Sequence, residues 1–252
     1  MKYELSSNTK DIFGITLYQI RALKDFEEVK TGDLGGWVES EKNLSHMSSA
    51  WISGNANISG NANISDNAIV FGNANVYGNA KVDDNANVFG DANVDCNARI
   101  FGNARVFGNA RVYDNAILFG NAQVFGNANI SGNANVFGNA RVFRDANVYG
   151  NANVYGNARA FGNAKISGNA RVYGDAIIKS SKVPHMKRSD GYDFISVPCS
   201  DGKTRVIAGC RYFTFKEAKK HWKKTRGGTP LGVETMLILK YLKKYVKIFD
   251  ND

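Results

Sequence analysis

The chain has 252 residues, 43% of them hydrophobic, with 32 basic and 23 acidic side chains and a net charge of +9. That is enough apolar material for a folded core, yet no apolar run reaches the roughly 20 residues of a membrane-spanning helix. The opening MKYELSSNTK is polar, against a secretory leader, and three cysteines make a poor disulfide framework, so a cytoplasmic protein with no membrane partner is expected.

Residues 1–50 carry no repeat and hold six basic against eight acidic side chains. ITLYQIRALKDF reads as a strand followed by a turn. GDLGGWVES reads as a glycine-rich bend that carries Trp37 and Val38 towards the repeats beginning at residue 51. This segment is predicted to be an N-terminal β cap.

From residue 51 to residue 180 one six-residue phrase recurs without insertion, roughly Ala-x-Val-Phe-Gly-Asn. Stepping by six from Ile52 to Ile178 meets a large aliphatic every time except at Ala160. An even period keeps each strand position on one face in every repeat, so Ala and Val point inwards while x and the aromatic point outwards. Gly-Asn is predicted to turn the corner, both residues being at ease in the left-handed region. Phe71, Phe89, Phe107, Phe125, Phe143 and Phe161 lie eighteen residues apart. The other two outward columns carry Ser59, Tyr77 and Asp95 onwards, and Ser65, Asp83 and Phe101 onwards. A period of eighteen in the exposed chemistry means three hexads per coil, hence a three-sided solenoid of about seven coils.

Residues 181–252 are predicted to form a small α+β module. YDFISVPCSDGKTRVIAG is a hairpin turning at Asp201-Gly202. Thr214 and Glu217 form a capping box for a helix that stops at Gly227-Gly228. Its apolar stripe is Phe215, Ala218 and Trp222, opposite Lys216, Lys219, Lys220, Lys223 and Lys224. A second helix comes after Pro230, with Met236, Leu239, Leu242 and Val246 inward and Lys240, Lys243, Lys244 and Lys247 outward. From residue 179 on there are seventeen basic and seven acidic side chains, whereas residues 51–178 hold nine and eight. The positive charge therefore belongs to the tail, and those lysines form its candidate partner-binding face, for nucleic acid or an acidic protein.

The hexads resemble those of the hexapeptide-repeat proteins, which implies a left-handed parallel β-helix. One departure is that the position after the aliphatic, commonly small or acidic in that family, is here mostly Phe or Tyr. LYQIRALKDFEEVKTGDLGGWVESEKNLS resembles the N-terminal segment of phage, prophage and enterobacterial hexapeptide proteins, some labelled putative transferase. AGCRYFTFKEAKKHWKKTRGGTPLGVETMLIL resembles a C-terminal module attached to assorted phage proteins.

Hexapeptide acyltransferases use a His between subunits and a loop that interrupts the coils. Here no His falls between Ile52 and Ile178, no loop breaks the register, and His46, His185 and His221 all lie outside the repeat. No catalytic residue, metal or cofactor is expected; Asp66 and Asp84, stacked at one corner beside Asp83, are read as solubility residues rather than a calcium site. The candidate interface is the six-Phe column, with Arg105, Arg141 and Arg159 in a parallel row. The reading is a non-enzymatic binding or scaffold protein, a homo-oligomer (trimer or dimer) through its aromatic faces. The resemblance adds a phage or prophage origin, a bacterial host cytoplasm and, by analogy, inhibition of a host defence factor. The alternative is a hexapeptide-type acyltransferase with its site at a subunit junction.

Overall fold

A computed structural model describes residues 1–179 and 184–249, the side chains of 247–249 excepted. The module boundary expected at 180–181 and the side chain of Lys247 therefore lie outside the described residues. Two-residue strands recur every six positions and stack into three parallel sheets. Each pairs with the strand eighteen residues away, as in Asn87↔Arg105 and Val88↔Val106. Three hexads thus make one coil, as the outward chemistry indicated.

The core is a dry axis of Ala and branched aliphatics. Every hexad alanine from Ala56 to Ala164 is fully buried, as is every aliphatic from Ile52 to Val154. Small and large side chains alternate along each strand, which lets three walls converge without voids.

The solenoid has about eight coils rather than seven, because the cap supplies one more strand. β3 (Leu34–Val38) pairs in parallel with Asn57–Ile58 through Trp37↔Asn57 and Val38↔Ile58. The glycine-rich bend is therefore the first coil strand. β2 (Ile15–Ala22) runs antiparallel to β3, and β1 (Tyr3–Ile12) runs antiparallel to β2, so the sheet edge is closed by a hairpin. β1 went unread in the sequence because YELSSNTKDI lacks an apolar alternation; only its first residue, Tyr3, is fully buried.

The corner chemistry also differs from expectation. Left-handed backbone falls only on the glycine position, for example Gly102 (φ 68°), and never on the adjacent Asn. Where that position is not glycine it is Asp66, Asp84, Cys96, Asp114 or Arg144, all near φ 55–59°. The Asn side chains instead bond from coil to coil: Asn61 Nδ2 donates to Asn79 Oδ1 at 3.1 Å, and the series continues to Asn169.

At the far end, strands His185–Lys187, Asp193–Pro198, Thr204–Ala208 and Arg211–Thr214 form an antiparallel sheet. The hairpin expected around Asp201-Gly202 is its centre. α1 (Phe215–Arg226) begins at the capping box, Thr214 Oγ1 accepting from Glu217 N at 3.3 Å. α2 (Pro230–Phe249) packs beside it, and Phe194, Val206, Trp222, Leu239 and Leu242 share a second, smaller core.

Candidate interaction surface

The six phenylalanines stand on one side of the prism. Consecutive rings from Phe71 to Phe161 lie 4.7–4.9 Å apart, with interplanar angles of 1–11°. Backbone pairing fixes this spacing, since coils repeat at the inter-strand distance and identical rings then overlap face to face. Each ring covers its neighbour but leaves its outer edge in water. Phe71 at the end is 36% exposed, and the five others are partly exposed.

The arginine row borders this stack. Arg105 sits over Phe89 and Phe107 at 5.3 and 5.6 Å, Arg141 over Phe125 and Phe143 at 5.3 and 5.7 Å, and Arg159 over Phe143 and Phe161 at 5.9 and 5.8 Å. Each guanidinium lies beside two adjacent rings of the stack, which shields part of the apolar stripe and fixes long side chains that would otherwise be free. The result is a ribbon of aromatic edge bordered by cations. No nucleophile or base stands on it.

A second ladder, on the third side, has a different fate. Phe101, Phe119, Phe137, Tyr155 and Tyr173 stack at 4.7–5.2 Å, and Tyr173 meets Tyr212 of the C-terminal sheet at 5.6 Å. Tyr212 Oη lies 2.9 Å from the buried Cys199 Sγ and accepts from Asp175 N at 3.3 Å. Burial, reinforced by that thiol contact, pushes its hydroxyl well above the ordinary tyrosine range. This column joins solenoid to module. Sequence reading missed it because Tyr212 lies outside the repeat.

On the remaining side Tyr77 Oη donates to Asp95 Oδ2 at 2.7 Å, and burial together with that bond pushes the phenol up to about 12. Asp66 and Asp84 do stack at one corner. Their carboxylates turn to backbone: Gly102 N donates to Asp84 Oδ2 at 2.9 Å, and Asp84 N to Asp66 Oδ2 at 3.4 Å. Burial and the charge of Asp84 raise the Asp83 carboxyl. No group of three or more metal-binding side chains occurs among the described residues.

Lys216, Lys219, Lys220, Lys223 and Lys224 on α1, and Lys240, Lys243 and Lys244 on α2, are all exposed. The expected inward residues Leu239 and Leu242 are buried, while Met236 and Val246 are partly so. Val233, Leu237 and Tyr241 add an exposed apolar line to α2 that the lysine pattern obscured.

His46 stacks on Tyr3 at 4.2 Å, and His221 lies against Phe213 and Trp222; burial lowers the pKa of both. His185 differs, its Nε2 being 3.0 Å from Asp193 Oδ1. That pair lines a cavity of about 430 Å³ between the last coil and the C-terminal sheet. An adjoining space of about 240 Å³ shares Asn169, Ala170, His185, Asp193 and Ile195 with it.

Comparison with known proteins agrees with this architecture. A family model described as the YdcK beta solenoid repeat matches residues 98–114, 104–120 and 164–179. The chain is a β-solenoid repeat protein. No curated protein matches it. The matched windows lie wholly within the coils.

Proposed function

We propose that this protein is a non-catalytic binding or scaffold protein that associates through the Phe71–Phe161 ribbon. The observation that carries the reading is the six-ring stack with its arginine border. A stripe six rings long spans about 24 Å at the inter-strand spacing, more apolar edge in one place than a lone soluble molecule ordinarily leaves to water. Arginine and aromatic side chains together are the composition that interfaces favour. A second copy is the first candidate partner, because closed symmetric oligomers dominate among soluble proteins. A host protein, a defence factor included, is the other occupant this surface would accept.

The test is light scattering on the purified chain and on a Phe107→Ser/Phe125→Ser variant. A dimer or trimer that falls to monomer in the variant supports the reading; a wild type monomeric at every concentration overturns self-association. A competing reading is favoured by the His185–Asp193 pair, namely acyl transfer at the end of the solenoid. Turnover of acetyl-CoA with an amine acceptor, abolished by His185→Ala, would establish it in place of the first.

A further inference from the structure

We propose that the cavity between the last coil and the C-terminal sheet is a binding site for a small organic anion with an apolar body, such as a short-chain carboxylate. The inference is independent of the ribbon and of any acyl transfer.

Its floor is the end of the dry axis. Ile166 and Ile178 belong to the last layer of inward residues, and Ile195 reaches the same space from the facing sheet. All three are nearly or fully buried in the fold, yet each presents carbon to the cavity. A space of about 430 Å³ falls in the range of small-molecule pockets, where an apolar wall with a few convergent polar groups is the usual construction.

The rim is made of donors. Lys165 and Lys187 line the opening, both exposed at their outer ends. Asn169 is the last amide of its ladder: Asn151 Nδ2 donates to its Oδ1 at 3.1 Å, and the last coil strand, Ile177–Ile178, closes the solenoid nine residues later. The one-way direction of the ladder thus uses the Asn169 carbonyl and leaves its N–H group with no amide to receive it, on a residue that lines the cavity. The sole carboxylate among the lining residues, Asp193, lies 3.0 Å from His185 Nε2, and Lys165 and Lys187 outnumber it. Two ammonium groups and an amide N–H above a hydrocarbon floor match one ligand chemistry, an anionic head on a short apolar chain.

The experiment is a titration of the whole chain, with its isoleucine methyl groups ¹³C-labelled, monitored by NMR. Hexanoate, hexan-1-ol and inorganic phosphate are the probes. Hexanoate should shift the methyls of Ile166, Ile178 and Ile195 while leaving Ile58 and Ile64, in the first coils, in place. A Lys165→Gln/Lys187→Gln variant, altered only on the surface, should retain the spectrum and bind hexanoate about tenfold more weakly. Equal affinity for hexan-1-ol would overturn the anionic requirement, and phosphate binding as tightly as hexanoate would overturn the role of the floor. Absence of any shift at these three methyls in the millimolar range would overturn the site itself.

Discussion

Asn127 Nδ2 donates to Asp145 Oδ1 at 3.0 Å, and there its ladder stops. A carboxylate accepts but has no proton to pass on, so the bond that Asn109 hands to Asn127 is not relayed to Asn163. The same break occurs where Asn73 donates to Asp91. The other two columns run on unbroken, one of them from Asn67 to Asp175. Asp145→Asn should therefore rejoin the ladder and raise stability by about 1 kcal/mol, the worth of one net hydrogen bond. Chemical denaturation of wild type and variant measures it.

Asp114 occupies the left-handed corner position at φ 59° and accepts from Gly132 N at 2.9 Å. Its strain is offset by that bond. Asp114→Ala keeps the strain and loses the acceptor, so it should cost about 1–2 kcal/mol. Asp114→Gly relieves the strain as it loses the bond and should be close to neutral. Conversely, Gly102→Ala places a methyl 2.9 Å from Gly120 N at φ 68° and should cost more than either, read from thermal midpoints.

Lys2 is 1% exposed, its Nζ donating to Ser48 O and Ala50 O at 2.8 and 2.6 Å at the N-terminal end of the core. Burial, with a smaller contribution from Lys24, lowers its pKa from 10.5 to about 8. Between those values the unfolded chain holds the proton that the folded chain has released, so stability rises with pH across this window. Raising pH from 8 to 9.5 should add roughly 2 kcal/mol in wild type and little in Lys2→Met. Above pH 10 the slope reverses, because burial pushes the Tyr3 hydroxyl upwards and the fold resists its ionisation. Thermal midpoints across the pH series test both signs.

Tyr212 joins the third-side ladder to the C-terminal sheet. Tyr212→Ser removes the ring that packs at a tilt against Tyr173 and, with it, the Asp175 and Cys199 contacts. The solenoid should keep its own transition while the module melts earlier, by several degrees. Limited proteolysis should then cut between the two, giving a fragment of solenoid length.

The inward register, the three hexads per coil and the placement of Phe71 to Phe161 were legible because each is written at a fixed spacing along one strand. The capping box at Thr214 and the turn near Asp201 were legible for the same reason, being local. What escaped notice depends on neighbours eighteen or more residues away. The role of Asn61 or Asn127 is set by the coil above, so a corner residue looked like a turn former when it is a cross-coil donor. β1 hid because its outer face meets water. The cavity joins Lys165 of the solenoid to His185 and Asp193 of the module, and no local pattern brings those three together.

The uniform coil repeat has a consequence for length. Each turn touches only the turns beside it, through backbone bonds that recur at every level and through ring overlap and one-directional amides along most of the length. Insertion or removal of eighteen residues would leave every remaining junction chemically unchanged and move the two termini apart or together by one increment of about 4.8 Å. The prism is in that respect a gauge, whose graduations are counted in the gene and read out as the separation between a hairpin-covered end and a cationic one.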